Sequence, residues 1–191
     1  MSTGTGTKTT AGAGLGRVLG VSSSQALVRV LLAVSSLALV ALTSVAAPQG
    51  VVLGAVALFV LTVGTVWRPE APAAGLLVIG LALHWLTAVP LPTSTASWLQ
   101  LLVAAWLLLV VHLSAALAAS LPPGAPVPGH SARRWSRRGA VVAAATVPLW
   151  ALAYGASRQA VPGEVWLTYA AIAALAILTL AVWLLSRDPR P

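Results

Sequence analysis

The sequence contains no cysteine, and only three of its 191 residues are acidic. Without cysteine the chain cannot form a disulfide, a thiolate nucleophile, an iron–sulfur cluster or a cysteine-bound zinc site. The acids, Glu70, Glu164 and Asp188, lie far apart, so a carboxylate pair for acid–base hydrolysis is not expected. The catalytic patterns G-x-S-x-G, H-E-x-x-H and S-x-x-K are also missing. The sequence therefore predicts no catalytic residues, no metal site and no cofactor.

Charged residues of either sign are scarce, at 7% of the chain against about 25% in an average soluble domain. Hydrophobic residues make up 59%, and the mean hydropathy is +0.94. This composition excludes both an ordinary soluble domain and an intrinsically disordered chain. The net charge of +8 would suit a nucleic-acid-binding protein, but the bases interrupt apolar runs instead of forming one basic surface. We therefore expect an integral membrane protein that contacts the lipid bilayer and no nucleic acid.

Six apolar runs follow residues 1–24, a Gly-, Ser- and Thr-rich stretch that we expect to be a disordered cytoplasmic tail. Each run is near the roughly 20 residues that a helix needs to cross about 30 Å of hydrocarbon, and Pro and Gly separate the runs. The sequence predicts an all-α helical bundle with six transmembrane helices within residues 25–187. The predicted spans are about 26–45, 51–67, 72–89, 97–119, 139–157 and 165–186, with a Pro- and Arg-rich cytoplasmic loop at 120–138.

The basic residues predict the orientation of these spans, because Lys and Arg are retained on the cytoplasmic side of short loops. With the N-terminus inside, ten of the eleven bases are cytoplasmic and only Arg158 lies outside. Tryptophans such as Trp67 and Trp98 fall near predicted span ends, where indole rings favour the interface. We expect a multi-pass protein of the cell membrane with both termini in the cytoplasm.

The first run has an alternative interpretation as a signal peptide. Ser44-Val45-Ala46 before Ala47 has the small residues of a signal-peptidase site. The segment before the run is unusually long, however, and the run exceeds the roughly 7 to 15 apolar residues of such a peptide. A retained helix is favoured, and cleavage would leave five spans with the same orientation.

Two histidines, His84 in the third span and His112 in the fourth, form a candidate intramembrane polar site. No Asp, Glu, Lys or Arg lies deep in a span, where ionisable residues often mark ion paths or proton relays. Counted from the outer span ends, the two histidines differ in depth by about 15 Å, which argues against a shared metal or haem site. We expect neutral histidines hydrogen-bonded to neighbouring helices, with a proton or metal role as the alternative.

The strongest positive feature is a basic cluster just before the fifth span: Arg133, Arg134, Trp135, Arg137 and Arg138. On the cytoplasmic side such bases attract anionic lipid headgroups by about 1 kcal/mol each, with the indole at headgroup depth. The Pro-rich stretch before the cluster should be extended and semi-rigid. The cluster either fixes topology alone or also binds anionic lipid or a membrane or cytoplasmic protein partner.

The stretch from His112 to Ala125, followed by the Arg–Trp cluster, resembles small uncharacterised polytopic membrane proteins of high-GC, actinobacterial-type bacteria, as does the Ala, Val and Leu usage. The resemblance implies a location in the bacterial inner membrane and carries no activity.

Three functions remain open. The favoured one is a non-catalytic membrane subunit or scaffold of a cell-envelope complex that docks lipid or a partner through the basic loop. The second is a small transporter or channel for a neutral solute, with polar lining residues. The third is a membrane enzyme that acts on lipid near Arg158, Glu164 and Tyr169. The lining residues of the second hypothesis are Thr62, Thr65, His84, His112 and Tyr154.

Overall fold

The computed structural model describes residues 22–69, 71–122 and 125–158, together with 172, 173 and 176. These residues are all-α, as predicted, with five helices and no strand. The predicted tail up to residue 21 and most of the predicted sixth span lie outside the described residues. The helices are α1 (Ser23–Ala46), α2 (Val52–Trp67), α3 (Ala71–Ala88), α4 (Thr95–Ala119) and α5 (Gly129–Ser157).

Three of these helices, α1, α4 and α5, are long and apolar enough to cross a membrane, with 24, 25 and 29 residues. At 1.5 Å per residue they are about 36, 38 and 44 Å long, which exceeds the roughly 30 Å of a hydrocarbon core. The helices α2 and α3 are also apolar but have only 16 and 18 residues. At about 24 and 27 Å, they could cross only with local thinning of the bilayer or snorkelling of their flanking residues.

Local sequence explains where the helices begin. The side chain of Ser22 accepts a hydrogen bond from the backbone N–H of Gln25 and caps α1. At the start of α4, Ser94 and Ser97 form a reciprocal capping box. Proline and glycine between Ala47 and Gly50 separate α1 from α2, because proline cannot continue a helix.

The helix α1 carries a buried stripe that repeats at alternating steps of four and three residues, and its main contacts are with α4. The opposing helix contributes small buried residues, among them Ala104, Ala115 and Ala118. Small residues let two backbones approach closely, which stabilises helix pairs in lipid, where the hydrophobic effect contributes little. The stripe on α1 consists of Gln25, Arg29, Leu32, Ser36, Leu39 and Thr43.

Glycines bring α2 and α3 together as an antiparallel hairpin. A Cβ atom on Gly80 of α3 would lie 3.0 Å from Cδ2 of Leu58 on α2. A Cβ atom on Gly54 of α2 would lie only 2.7 Å from Cε1 of His84 on α3. Both glycines therefore allow a side chain of the opposite helix to pack against the backbone.

The outward surface of α1, α2 and α3 is apolar. Soluble monomers rarely expose continuous apolar patches of more than a few hundred Å², so this surface is typical of helices that contact lipid. The exposed side chains include Leu27, Val30, Leu31 and Val34 on α1, Leu53, Val56, Phe59 and Val60 on α2, and Leu76, Ile79, Leu83 and Leu86 on α3.

The helix α5 lies at the edge of the bundle and packs against α4. Gly139 is its one buried residue, and a Cβ atom there would lie 2.6 Å from Cδ1 of Leu113 on α4. At mid-length the indole Nε1 of Trp106 donates to Oγ1 of Thr146 at 2.9 Å and to the carbonyl of Ala143 at 3.2 Å. Polar side-chain contacts therefore supplement close packing at this interface.

The start of α5 differs from the predicted arrangement. The helix begins at Gly129, ten residues before the predicted span 139–157, so the basic cluster lies on a helix and not in a loop. Only residues 120–128 of the predicted loop 120–138 precede the helix, and Pro128 is extended, with φ −61° and ψ 133°. The physical reason is that Ala and Arg favour helices, and polar residues can continue a helix beyond the end of its apolar stretch.

Candidate functional site

The first turns of α5 carry four arginines on one face, which we call the basic face: Arg133, Arg134, Arg137 and Arg138. All four side chains are exposed, and Trp135 beside them is half-buried. At 100° per residue the four positions cover an arc of about 140°, and Gly139, which contacts α4, lies on the opposite side. The basic face therefore points away from the bundle.

The charges of the basic face repel one another. Arg133 is the fifth residue of α5, beyond the first turn in which the helix dipole acts, but like charges four residues apart repel by about 0.2–0.5 kcal/mol per pair. No side chain caps the backbone N–H groups at the start of α5, and none of the described residues is acidic. A bound anion would reduce this repulsion.

The linker before the basic face is hydrogen-bonded to the start of α1. Oγ of Ser22 donates to the carbonyl oxygen of Ala125 at 3.1 Å, and the N–H of Val127 donates to Oγ of Ser24 at 2.9 Å. These two bonds join segments that are about 100 residues apart in the sequence. They fix the start of α5 beside the start of α1.

Arg29 and Gln25 are two buried polar residues that sequence reasoning missed. Arg29 is only 6% exposed, and its Nη1 donates to the carbonyls of Val66 at 3.0 Å and Trp67 at 3.3 Å. These carbonyls lie at the C-terminal end of α2, where a cation is favoured. The signal was available in the sequence, because Gln25 and Arg29 share the spacing of Leu32 and Leu39 on the stripe of α1.

Several buried atoms of this stripe lack a hydrogen-bond partner among the described residues. They are Nε of Arg29, both amide atoms of Gln25, and Oγ of Ser36. Gln25 and Ser36 are fully buried. Because Gln25 and Arg29 are four residues apart on α1, a change of side-chain rotamer would let the glutamine oxygen accept from Nε of the arginine. Arg29 is thus a structural contact between α1 and α2.

The two predicted histidines are far apart. The end of α3 is connected to the start of α4. His84 lies four residues before that end of α3, and His112 lies 17 residues after that start of α4. At 1.5 Å per residue this is a separation of about 20 Å along the helix axes. His84 packs on Gly54, with its Nε2 buried and unpartnered among the described residues, whereas His112 is exposed. The described residues contain no group of His, Cys, Asp or Glu suited to a metal ion.

The other predicted lining residues do not join the histidines. The hydroxyls of Thr62 and Thr65 donate to the carbonyls of Leu58 and Leu61 in their own helix, at 2.7 and 2.8 Å. Tyr154 lies at the far end of α5, against the start of α4. The structure thus places these side chains in separate local environments.

At the opposite end of α5 from the basic face, five side chains meet in what we call the outer cluster: Thr95, Trp98, Trp150, Tyr154 and Arg158. The tyrosine ring stacks on Trp150, with ring centroids 5.5 Å apart, and meets Trp98 edge-on at 6.0 Å. Nε1 of Trp150 donates to the carbonyl of Trp98 at 2.7 Å. Among the basic residues, the sequence placed only Arg158 outside. It did not predict this cluster, although Trp150, Tyr154 and Arg158 are spaced four residues apart.

A shallow apolar groove of about 360 Å³ lies beside the turn between α1 and α2. Its polar lining side chain, Ser44, donates to the carbonyl of Val40 in its own helix at 3.0 Å. The groove therefore presents no free polar side chain that could orient a ligand.

Comparison with models of protein families, with curated proteins and with solved structures finds no match. Within the described residues the protein is an all-α chain with three helices that could span a membrane.

Proposed function

We propose that the chain is a non-catalytic, multi-pass membrane protein, a subunit or scaffold of a cell-envelope complex, which docks on anionic lipid headgroups through the basic face. The observation that carries this proposal is the position of four exposed arginines on the side of α5 that points away from the bundle. The apolar part of the helix begins at Gly139, directly after them. A partner protein with an acidic surface is the alternative ligand of the same face.

The proposed topology has six spans with both termini in the cytoplasm. Contacts at one end of the bundle support it, because Ser22 and Ser24 bind the linker after α4, and Arg29 binds the end of α2. The starts of α1 and α5 and the end of α2 therefore share one side. Arg138 and Arg158 are 20 residues apart on α5, about 30 Å, so bases bracket a stretch that matches the hydrocarbon thickness.

The strength of the proposed interaction follows from the number of charges. At about 1 kcal/mol per base near an anionic leaflet, the four arginines contribute about 4 kcal/mol, or roughly a thousandfold in affinity. Trp135 adds an indole at the depth where aromatic side chains favour the interface. The mutual repulsion of the four arginines strengthens the case, because an anionic ligand would reduce it.

The test compares two versions of the basic face. In the first, Arg133, Arg134, Arg137 and Arg138 are replaced by glutamine, and in the second by lysine. Protein purified in mild detergent is analysed by mass spectrometry for bound lipids and proteins. We expect the glutamine version to lose most bound anionic lipid and the lysine version to retain it. Unchanged lipid and protein partners in a glutamine version with intact topology would refute the proposal.

No specific observation favours the other two candidate functions. The five predicted lining residues of a transporter are not brought together, since His112 is exposed and Tyr154 belongs to the outer cluster. For the lipid-directed enzyme, Glu164 and Tyr169 lie outside the described residues. Arg158 already forms hydrogen bonds with Thr95 and Tyr154.

A further inference from the structure

Arg158 has an exposed guanidinium that is nevertheless held in one position. Its Nη2 donates to Oγ1 of Thr95 at 2.8 Å and to the hydroxyl of Tyr154 at 3.0 Å. Its Cζ lies 5.2 Å from the centroid of the tyrosine ring, within the range of a cation–π contact. An exposed arginine otherwise samples many rotamers and loses that freedom when a ligand binds. Here the outer cluster orients the cation in advance.

The outer cluster also has surplus hydrogen-bond donors. Nε and Nη1 of Arg158 have no partner among the described residues, none of which is acidic. Thr95 and Tyr154 both accept from the guanidinium, and their oxygens are 2.9 Å apart, so one hydroxyl proton lies between them. The proton of the second hydroxyl remains free to donate outward. A ligand that fits this set accepts hydrogen bonds and carries negative charge.

We propose that the outer cluster is a phosphate-binding site that holds the headgroup of a phospholipid. The proposal rests on α5 crossing the membrane, as in the proposed function. In that case Arg158 lies about 30 Å along the helix from Arg138, at the headgroup layer where lipid phosphates are concentrated. The half-buried rings of Trp98 and Trp150 lie against the ring of Tyr154 and offer apolar surface to the lipid glycerol and upper acyl chains.

Arginine recognises phosphate well, because its planar donors match the phosphate oxygens and its charge persists at every physiological pH. The outer cluster differs from the basic face in its position and in the arrangement of its charge. The basic face attracts anions through several neighbouring charges, whereas the outer cluster holds a single cation that its neighbours orient. We therefore expect the basic face to attract several lipids through its summed charge and the outer cluster to bind one lipid in a saturable way.

The experiment uses the full chain in a neutral detergent, with the four arginines of the basic face replaced by glutamine to remove their contribution. Native mass spectrometry counts bound molecules during titration with dioctanoyl-phosphatidylglycerol. Dioctanoylglycerol tests binding of the acyl chains without phosphate, and inorganic phosphate tests binding of phosphate without acyl chains. We expect one saturable phosphatidylglycerol, no dioctanoylglycerol, and weak competition by inorganic phosphate.

Arg158→Gln should weaken this binding at least about tenfold, because a charge-assisted hydrogen bond is lost. Tyr154→Phe, which keeps the ring, should weaken it by several-fold. Arg68→Gln, a matched change of an exposed arginine at the end of α2, should have no effect. If Arg158→Gln does not fold, Tyr154→Phe and Arg158→Lys provide the same comparison, with thermal unfolding as the check on folding.

Two results would overturn the proposal. If Arg158→Gln lowers thermal stability but binds phosphatidylglycerol as tightly as the parent, the outer cluster only joins α4 to α5. If inorganic phosphate binds as tightly as phosphatidylglycerol and displaces it stoichiometrically, the site takes free phosphate and the lipid assignment is wrong.

Discussion

Arg29 is buried between α1 and α2 because its guanidinium binds carbonyls that the end of α2 leaves without helical partners. The same residue adds to the basic charge that sets the proposed orientation of α1. The sequence alone does not reveal the packing role of Arg29, because a base one turn into a span can turn inward as well as snorkel outward. Burial of 94% of this side chain resolves the choice in favour of packing.

Arg29→Met tests this role, since methionine has a similar length and no donor. We expect the free energy of unfolding in detergent to fall by about 1–3 kcal/mol, the usual effect of removing a hydrogen bond to a charged group. Arg29→Lys should recover part of the loss. Arg68→Met changes an exposed arginine at the end of α2 and serves as the control. Equal stability of Arg29→Met and the native chain would contradict the assigned role.

Gly54 illustrates a second constraint at the scale of a single residue. Gly54→Ala would place a Cβ atom 2.7 Å from the ring of His84, and the ring would have to move. We expect a loss of about 1–3 kcal/mol in the free energy of unfolding, as for other overpacked sites. In a double-mutant cycle, His84→Ala should remove much of that cost.

Gly64→Ala, on the same helix, is the matched control for this substitution, because nothing lies within 4 Å of the new Cβ atom. It should stabilise α2 by about 0.5–1 kcal/mol through helix propensity. Additive effects of Gly54→Ala and His84→Ala would show that the ring and the glycine are not coupled.

Among the elements, α5 combines a polar first third with an apolar remainder in one continuous helix. Pro148 within it removes one backbone hydrogen bond, to the carbonyl of Ala144. The hydrogen bonds of Trp106 and Trp150 to residues across the α4–α5 interface lie on either side of this position. The contacts with α4 therefore compensate for the weaker point in the helix.

Single-cysteine variants test whether the basic face is helical, because the native sequence has no cysteine. We expect thiols at positions 133, 134, 137 and 138 to react quickly with a soluble maleimide and a thiol at position 135 to react several-fold more slowly. The reason is that Trp135 is half-buried while the four arginines are exposed. Equal rates at all five positions would indicate that these residues belong to the loop predicted from the sequence. The same measurements in lipid nanodiscs show whether anionic lipid protects the basic face.

The all-α class followed from the apolar runs, since their length and the Pro and Gly between them leave few other structures. The start of α5 did not follow, because hydropathy marks where a helix becomes apolar and not where its hydrogen bonds begin. The outer cluster could not be predicted from the sequence for another reason. Thr95 and Tyr154 are 59 residues apart, and their contact depends on the register of α4 against α5. Local patterns do not encode that register.

At the scale of the whole molecule, the charged and polar clusters lie at the two ends of the bundle. Arg29 and the basic face lie at the end that contains the start of α1, and the outer cluster lies at the opposite end. Between the ends, hydroxyls such as those of Thr43, Thr62 and Ser114 donate to carbonyls of their own helices. Among the described residues, few buried polar atoms in the middle of the bundle therefore lack a partner, Oγ of Ser36 and Nε2 of His84 among them.

The topology proposed for the whole molecule makes a sharp prediction for cysteine labelling in intact cells. Single cysteines at Gln49 and Thr93, in the turns after α1 and α3, should react with an impermeant maleimide added outside. Cysteines at Arg68 and Ser120 should react only after the membrane is permeabilised, because these positions lie at the end that carries the basic face. All four native residues are exposed, so a difference in labelling reflects membrane side and not burial. Labelling of Ser120 from outside intact cells would invert the topology and remove the basic face from the cytoplasmic leaflet on which its proposed role depends.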